Sequence, residues 1–343
     1  MRALGPHFDQ PVAPGGYVWW YLDALSDDGH HGLTIIAMLG SVFSPYYAWA
    51  RRRQGAEAVD PLNHCGLNVA LYGRGGKRWS LTERGRTALS RDASHLTISP
   101  SSLHWDQDAL VIDIKERGMP IPHRLLGRVR LYPEALADYQ AFLDPAARHR
   151  WVPIAPRARV HVEMAAPALR WSGPAYFDSN AGDEPLENAF HGWDWSRATH
   201  RGGTTVLYHV VPRQVTGPGA ADPAASTERT AATAGTHGCT TGGARLALHF
   251  DASGAVTNLE PFAPHDLPAT RIWRIPRSTY GDPDQPACIV DTLEDTPFYA
   301  RSLVAASLEG DKVTAVHESL SLDRFRQRWV QMLLPFRMPR VRT

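Results

Sequence analysis

Asp178 follows Tyr176-Phe177 directly and precedes Ser-Asn-Ala-Gly-Asp-Glu, and Phe190-His-Gly-Trp-Asp-Trp195 comes shortly after. Carboxyl groups and aromatic rings are thus packed into one short stretch. An acid enclosed by rings loses hydration, its pKa rises, and it stays neutral near pH 7, able to donate a proton. Aromatic faces then stabilise the cation that protonation creates. The chemistry suggested is proton donation to an electron-rich apolar molecule.

Spacing adds a second segment. Tyr176 and Asp178 share one face if their stretch is a strand, because side chains alternate with a period of two. His149-Arg-Trp151 repeats that arrangement, so His149 and Trp151 share a face. Asp178, Tyr176, His149 and Trp151 are therefore expected to form one catalytic cluster, with Asp178 as the acid and Tyr176 bonding or orienting it. Gly16-Tyr-Val-Trp-Trp-Tyr-Leu-Asp23 has the same aromatic-plus-acid character. Trp19, Trp20, Trp193 and Trp195 are expected to wall the substrate pocket, although residues 19–21 cannot all face inward. A second reading of Asp178 is a turn cap with Asn180 and Gly182. Asp183, Glu184 and Asp194 are alternative acids.

The elements that must position these residues read mostly as strands. Tyr17–Leu22, Leu33–Phe43, Gly66–Tyr72, Arg78–Thr82, His95–Ser99, Leu110–Ile114, Leu126–Leu131, Arg157–Met164 and Thr204–Val211 are apolar or alternating runs bounded by Gly, Pro, Asp, Asn or Ser. Residues 103–114 read as a hairpin turning at Asp106-Gln-Asp. Helical periodicity is confined to Pro133–Leu143 and Leu322–Leu334, the second with Asp323 as N-cap and Pro335 as stop. The expected class is all-β, sandwich or closed barrel. A Thr/Ala/Gly/Pro-rich tract at 216–243 lacks the apolar residues to build a core and reads as a flexible insertion. It interrupts a hairpin between 207–212 and 245–250.

Composition excludes several functions. The 343 residues carry a net charge of +1, which gives no general argument for nucleic acid. Cys65, Cys239 and Cys288 have neither C-x-x-C spacing nor even number, so neither a disulfide framework nor a zinc site is expected. No phosphate-binding, dinucleotide-binding, zinc-protease or serine-elbow motif occurs. His30-His31 would point to opposite faces of a strand. No cofactor and no metal are therefore expected. Gly, Pro and Asp break the first nine residues, which speaks against a secretory leader. Leu33–Leu39 is too short to span a bilayer.

The chain resembles the carotenoid 1,2-hydratases (hydroxyneurosporene synthases) of phototrophic bacteria. The resemblance is carried by Gly16–Gly29, Leu33–Tyr47, His149-Arg-Trp-Val-Pro-Ile-Ala-Pro, Tyr176–Gly182 and Trp193-Asp-Trp-Ser-Arg. It implies two lipocalin-like antiparallel β domains packed side by side, with few short helices; residues 1–185 and 186–343 are the expected units. It also implies addition of water to the terminal double bond of an acyclic carotene such as neurosporene or lycopene, without a cofactor. Asp178 matches the acidic position of the motif. Within that chemistry Trp151 would face the cation and His149 would position or deprotonate the water. The same architecture hosts polyene cyclases and pericyclases. A non-catalytic carrier of hydrophobic ligands is a third reading.

A carotene resides in a bilayer, so a membrane surface is an expected partner and a peripheral position on the cytoplasmic side the expected location. Ser44-Pro-Tyr-Tyr-Ala-Trp-Ala-Arg-Arg-Arg53 sets aromatics beside arginines. The tail from Arg324 combines six arginines with Trp329, Met332, Leu333, Leu334, Phe336 and Met338. Such a composition fits an anionic interface, or equally a helix covering a barrel end with solvated arginines.

Overall fold

A computed structural model describes residues 7–74, 76–213, 238–241, 245–260 and 262–341. Most of the tract expected to be a flexible insertion lies outside the described residues. The first half contributes β1 (Tyr17–Leu25), β2 (His31–Leu39), β3 (Cys65–Gly73), β4 (Arg78–Arg84), β5 (Leu89–Arg91) and β6 (His95–Ile98). It continues with β7 (Ser101–Asp106), β8 (Ala109–Gly118), β9 (His123–Pro133), β10 (Tyr139–Phe142), β11 (His149–Ala166) and β12 (Ala168–Gly182). After it come β13 (Phe190–His200), β14 (Gly203–Pro212), β15 (Gly238–Thr241), β16 (Arg245–Phe250) and β17 (Val256–Asn258). The last strands are β18 (Ala263–Leu267), β19 (Arg277–Gly281), β20 (Cys288–Asp295), β21 (Tyr299–Leu308) and β22 (Asp311–Ser321). Four short α-helices complete the list: α1 (Pro45–Gln54), α2 (Leu186–Ala189), α3 (Leu322–Phe325) and α4 (Arg328–Leu333).

The first sheet runs β4-β3-β2-β1-β12-β11-β9-β8-β7-β6-β5. The second runs β17-β16-β14-β13-β22-β21-β20 and is likewise antiparallel. The architecture is all-β and lipocalin-like. One strand breaks the division by sequence: β15, from the second half, pairs in parallel with β10 of the first sheet.

Period-two alternation distributes the aromatic runs between two cores. Along β1, Val18, Trp20, Leu22 and Ala24 enter the interior of the first sheet, while Tyr17, Trp19 and Tyr21 enter a core between the sheets. The second sheet meets them there with Trp193, Trp195, Tyr208, Leu248 and Leu320. Each fully buried large side chain contributes ~1.5–3 kcal/mol through apolar burial. The opposite face of the second sheet holds a smaller core beneath the β18–β19 pair.

One buried ion pair and one buried hydrogen bond from an ion-paired arginine cross between the sheets. Arg197 of β13 pairs with Asp23 of β1, and Arg301 of β21 meets Tyr21 of β1 and Glu318 of β22. Removing one partner from such a pair costs ~3–5 kcal/mol, because the other charge is left buried.

Three sequence expectations are corrected. Residues 133–143 form no helix: β9 ends at Pro133 and Tyr139–Phe142 is a strand, with Tyr139 and Ala141 buried in the inter-sheet core. Period two wins there because every second side chain has a core to enter. The helix over 322–334 is broken, since Gln327 is extended (φ −68°, ψ 131°). That break allows both Phe325 and Val330 to be buried. The run Leu33–Phe43 leaves the sheet after Leu39, where Gly40 takes φ 64°. The hairpin expected to turn at 106–108 is present, with Gln107 at φ 55°. Strands β14 and β16 pair as the interrupted hairpin requires.

Candidate functional site

β11 and β12 are antiparallel neighbours, with Trp151 opposite Asn180 and Pro153 opposite Asp178. The strand face that carries Tyr176 also carries Asp178 and Asn180, as period two requires. Trp151 Nε1 donates to Asp178 Oδ2 at 2.8 Å, and the Tyr176 hydroxyl donates to the same oxygen at 2.9 Å. Asp178 Oδ1 is buried and has no protein partner. The residue is 4% exposed, and Trp151 and Tyr176 are fully enclosed.

Burial pushes the Asp178 carboxyl up to about 8, against the two hydrogen bonds that favour its ionised form. Near pH 7 the group is therefore mainly a neutral acid. With Oδ2 engaged by two donors, Oδ1 is the oxygen free to carry the proton.

The acid opens on a cavity of about 30 Å³ walled by Trp19, Tyr21, Asn180, Trp193, Trp195, Tyr208 and Glu318. Four of these, Trp19, Tyr21, Trp193 and Glu318, also wall a second, mainly apolar space of about 130 Å³. That space passes Ile36, Met38, Phe43 and Phe298 and reaches Leu334, Arg337 and Met338 of the C-terminal segment. The two spaces thus lie side by side between that segment and the acid, with these four side chains common to both, and together they are called the channel. A larger groove of about 630 Å³ lies among Asp113, Arg128, Glu163 and Arg170, and its charged, exposed lining offers no desolvated acid.

Asn180, Tyr208, Tyr21 and Glu318 on the cavity wall are themselves paired. Asn180 Nδ2 donates to the Tyr208 hydroxyl at 3.3 Å. Tyr21 Oη lies 2.7 Å from Glu318 Oε1 and 2.9 Å from Asp23 Oδ2, and accepts from Arg301 at 2.9 Å. Burial raises the Glu318 carboxyl, and Arg301 opposes that rise. Trp195 Nε1 is a buried donor with no protein partner.

The expected cluster is only partly assembled. Asp178, Tyr176 and Trp151 are in direct contact, and Trp19, Trp193 and Trp195 wall the cavity. Trp20 does not: it lies on the opposite face of β1, edge-to-face with Phe8 at 5.0 Å inside the first sheet. Adjacent strand residues cannot serve one pocket, so this expectation is corrected. His149 is fully buried but is not part of the cavity wall. Its Nδ1 lies 3.0 Å from the Tyr17 hydroxyl, and Nε2 lies 3.4 Å from Glu184. Tyr17 stacks on Trp19 at 4.9 Å, which links His149 to the cavity through two rings. Gly182 makes room for this pair: a Cβ there would sit 2.5 Å from the Tyr17 ring and 2.7 Å from His149 Nδ1. The alternative acids Asp183, Glu184 and Asp194 are absent from the walls of both spaces.

Sequence reasoning missed Tyr21, Asn180, Tyr208, Glu318 and Arg301. Asn180 was within reach, since period two extends the Tyr176–Asp178 face to it. Glu318 also carried a signal, an acid between Val316 and Leu320 on the buried face of a strand.

A two-sheet, lipocalin-like scaffold with a buried, neutral carboxyl beside an apolar space defines a β protein that presents an acid to hydrophobic molecules. The family model of the carotenoid hydratase CrtC matches residues 35–234 and 222–343. The chain is 57% identical over 339 residues to the acyclic carotenoid 1,2-hydratase of Thiocapsa roseopersicina, covering 99% of this chain and 76% of that one. It is 48% identical over 335 residues to the enzyme of the same name from Rubrivivax gelatinosus, covering 98% and 76%. A crystal structure of an AttH-type protein from Nitrosomonas europaea shares the fold, with a TM-score of 0.56 at 14% identity over 89% of this chain and 92% of that one. The chain belongs to the carotenoid hydratase family.

Proposed function

We propose that this protein adds water to the terminal C1–C2 double bond of acyclic carotenes such as neurosporene and lycopene, with Asp178 as the proton donor. The observation that carries the reading is a neutral Asp178 whose Oδ1 is free of protein partners at the tryptophan-walled end of the channel. The end of the carotene enters past Met338 and Phe298. Asp178 Oδ1 gives its proton to C2, and the electron pair of the double bond forms the new C–H bond. A tertiary cation remains at C1.

Trp19, Trp193 and Trp195 surround that cation, and each favourable ring contact contributes ~0.5–2 kcal/mol. Glu318, held by Arg301 and Tyr21, places a carboxyl on the cavity wall where positive charge develops. Asn180 and Tyr208 hold the water that attacks C1. The resulting oxonium returns a proton to Asp178, which restores the acid and releases a tertiary alcohol. Trp151 and Tyr176 fix the carboxyl and stabilise its transient anion. His149 is a positioning residue acting through Tyr17 and Trp19.

Delivery of the substrate fits a membrane-facing C-terminal segment. Trp329, Met332, Leu333 and Phe336 are exposed beside the channel residues Leu334, Arg337 and Met338. Arginines 324, 326, 328, 337 and 340 lie in the same segment. Apolar side chains with basic neighbours suit an anionic lipid surface. Among the described residues, no helix is long and apolar enough to cross a membrane.

The test is conversion of detergent-dispersed lycopene in ¹⁸O-labelled water by wild type and Asp178→Asn. The expected result is a labelled 1-hydroxy carotenoid from wild type and none from the folded variant. Turnover by Asp178→Asn within tenfold of wild type would remove Asp178 from the role. An unlabelled isomer from wild type would favour a cyclase, and bound, unchanged carotene would favour a carrier.

A further inference from the structure

The outer end of the second sheet carries a cluster that the hydration site does not use. His200 closes β13, His249 lies on β16, and Glu309 and Asp311 flank Gly310 in the turn between β21 and β22. One donor atom from each of His200, His249 and Glu309 falls within a sphere of contact in which all three are within 4.8 Å of one another. His200 Nδ1 is 3.6 Å from Asp311 Oδ2, and His249 Nδ1 is 3.9 Å from Glu309 Oε2. The two imidazole rings are 5.2 Å apart.

Both Nδ1 atoms are buried and lack a hydrogen-bond partner. Such groups are costly unless something satisfies them. His200 Nε2 is already engaged at 3.0 Å by the Thr205 hydroxyl. That contact occupies Nε2 and leaves Nδ1 as the ring nitrogen facing the cluster, as outer contacts do for metal-bound histidines. Arg157 is an opposing charge nearby, but it is paired with Glu134. The backbone is also shaped around the pair: a Cβ at Gly203 would lie 2.9 Å from His249 Nε2.

We infer that His200 and His249, with Glu309 and Asp311, form a binding site for a divalent transition-metal ion, zinc above all. Two imidazole nitrogens and carboxylate oxygens suit zinc, whereas magnesium and calcium prefer oxygen alone. Zinc–ligand bonds of ~2.0–2.2 Å place tetrahedral donors about 3.4 Å apart. The donors of His200, His249 and Glu309 lie within 4.8 Å of one another, so binding needs a small closing movement of these side chains, of which the carboxylates are exposed. The ion would join the β13–β14 hairpin, β16 and the β21–β22 turn at one point. None of the site's four residues lines the spaces beside Asp178.

The test is calorimetric titration of chelator-stripped full-length protein with zinc chloride, with cobalt chloride in parallel to read coordination from visible absorption. One equivalent is expected to bind, with a tetrahedral cobalt spectrum and a raised Tm. His249→Gln should weaken zinc binding by tenfold or more. The double variant Glu309→Gln/Asp311→Asn, confined to an exposed turn, should weaken it comparably and leave carotene hydration at the wild-type rate. Absence of stoichiometric zinc binding in wild type would overturn the assignment. So would a cobalt spectrum and affinity unchanged in both variants.

Discussion

The indole of Trp151 and the carboxyl of Asp178, on paired strands, meet through a 2.8 Å hydrogen bond from Nε1 to Oδ2. The bond occupies one oxygen of the acid and leaves the other unpartnered. A single neutral donor of fixed orientation follows from that asymmetry.

Activity should fall as Asp178 ionises, with a midpoint near the value of about 8 to which burial raises it. Stability carries the matching sign. The unfolded chain loses this proton at ~4, whereas the folded chain keeps it until about 8. The unfolded state therefore binds fewer protons across that window, and this group's contribution to stability declines as pH rises through it. Asp178→Asn removes the decline. The Tm of the variant relative to wild type should accordingly increase from pH 5 to pH 8, as differential scanning fluorimetry can measure.

Trp151→Phe keeps an aromatic ring but removes the donor to Oδ2. Losing a hydrogen bond that favours the carboxylate moves the Asp178 pKa further up, so the alkaline limb should shift to higher pH. The anion formed on proton transfer is also less stabilised, and kcat should drop about 10- to 100-fold, or ~1.4–2.8 kcal/mol. Tyr176→Phe should act in the same direction. A pH–rate profile that keeps its wild-type midpoint in both variants would show that these donors do not act on Asp178.

Asn180→Leu should separate protonation from water capture. Without the amide, the C1 cation persists longer and returns a proton instead of gaining water. In D₂O the variant should release carotene carrying deuterium while making at least tenfold less alcohol. Mass spectrometry of recovered substrate reads this directly. Equal loss of deuterium exchange and alcohol would place Asn180 in binding or protonation.

Trp329 is 47% and Phe336 67% exposed beside the channel mouth. Trp329→Ser/Phe336→Ser should reduce co-flotation with vesicles containing phosphatidylglycerol several-fold. It should also raise the KM for carotene presented in those vesicles, with kcat for detergent-dispersed substrate retained. Flotation unaffected by the substitutions or by vesicle charge would argue against a membrane-docking segment.

Much of the first sheet was legible because its strands are short apolar runs punctuated by turn residues, and because period two is a strict geometric rule. The contact among Trp151, Tyr176 and Asp178 follows from that rule together with the pairing of β11 and β12. Trp20 departs from expectation for the same reason, since its neighbour Trp19 already takes the inter-sheet face. What local pattern does not hold is the docking of one sheet on the other. Tyr208 and Glu318 reach the acid from strands far along the chain, and no short-range spacing encodes that approach. Helical spacing misled at 139–142, where burial between the sheets decided the outcome.

The backbone of Glu83, on β4, bonds to Pro339 and Val341, and its side chain pairs with Arg340. This clasp holds the segment containing Leu334, Arg337 and Met338 at the channel entrance. A chain ending at 334 would therefore keep Asp178 and lose Arg337 and Met338 from the wall of that space, together with the clasp that seats them. The C-terminal residues thus act as a bolt on the edge of the first sheet.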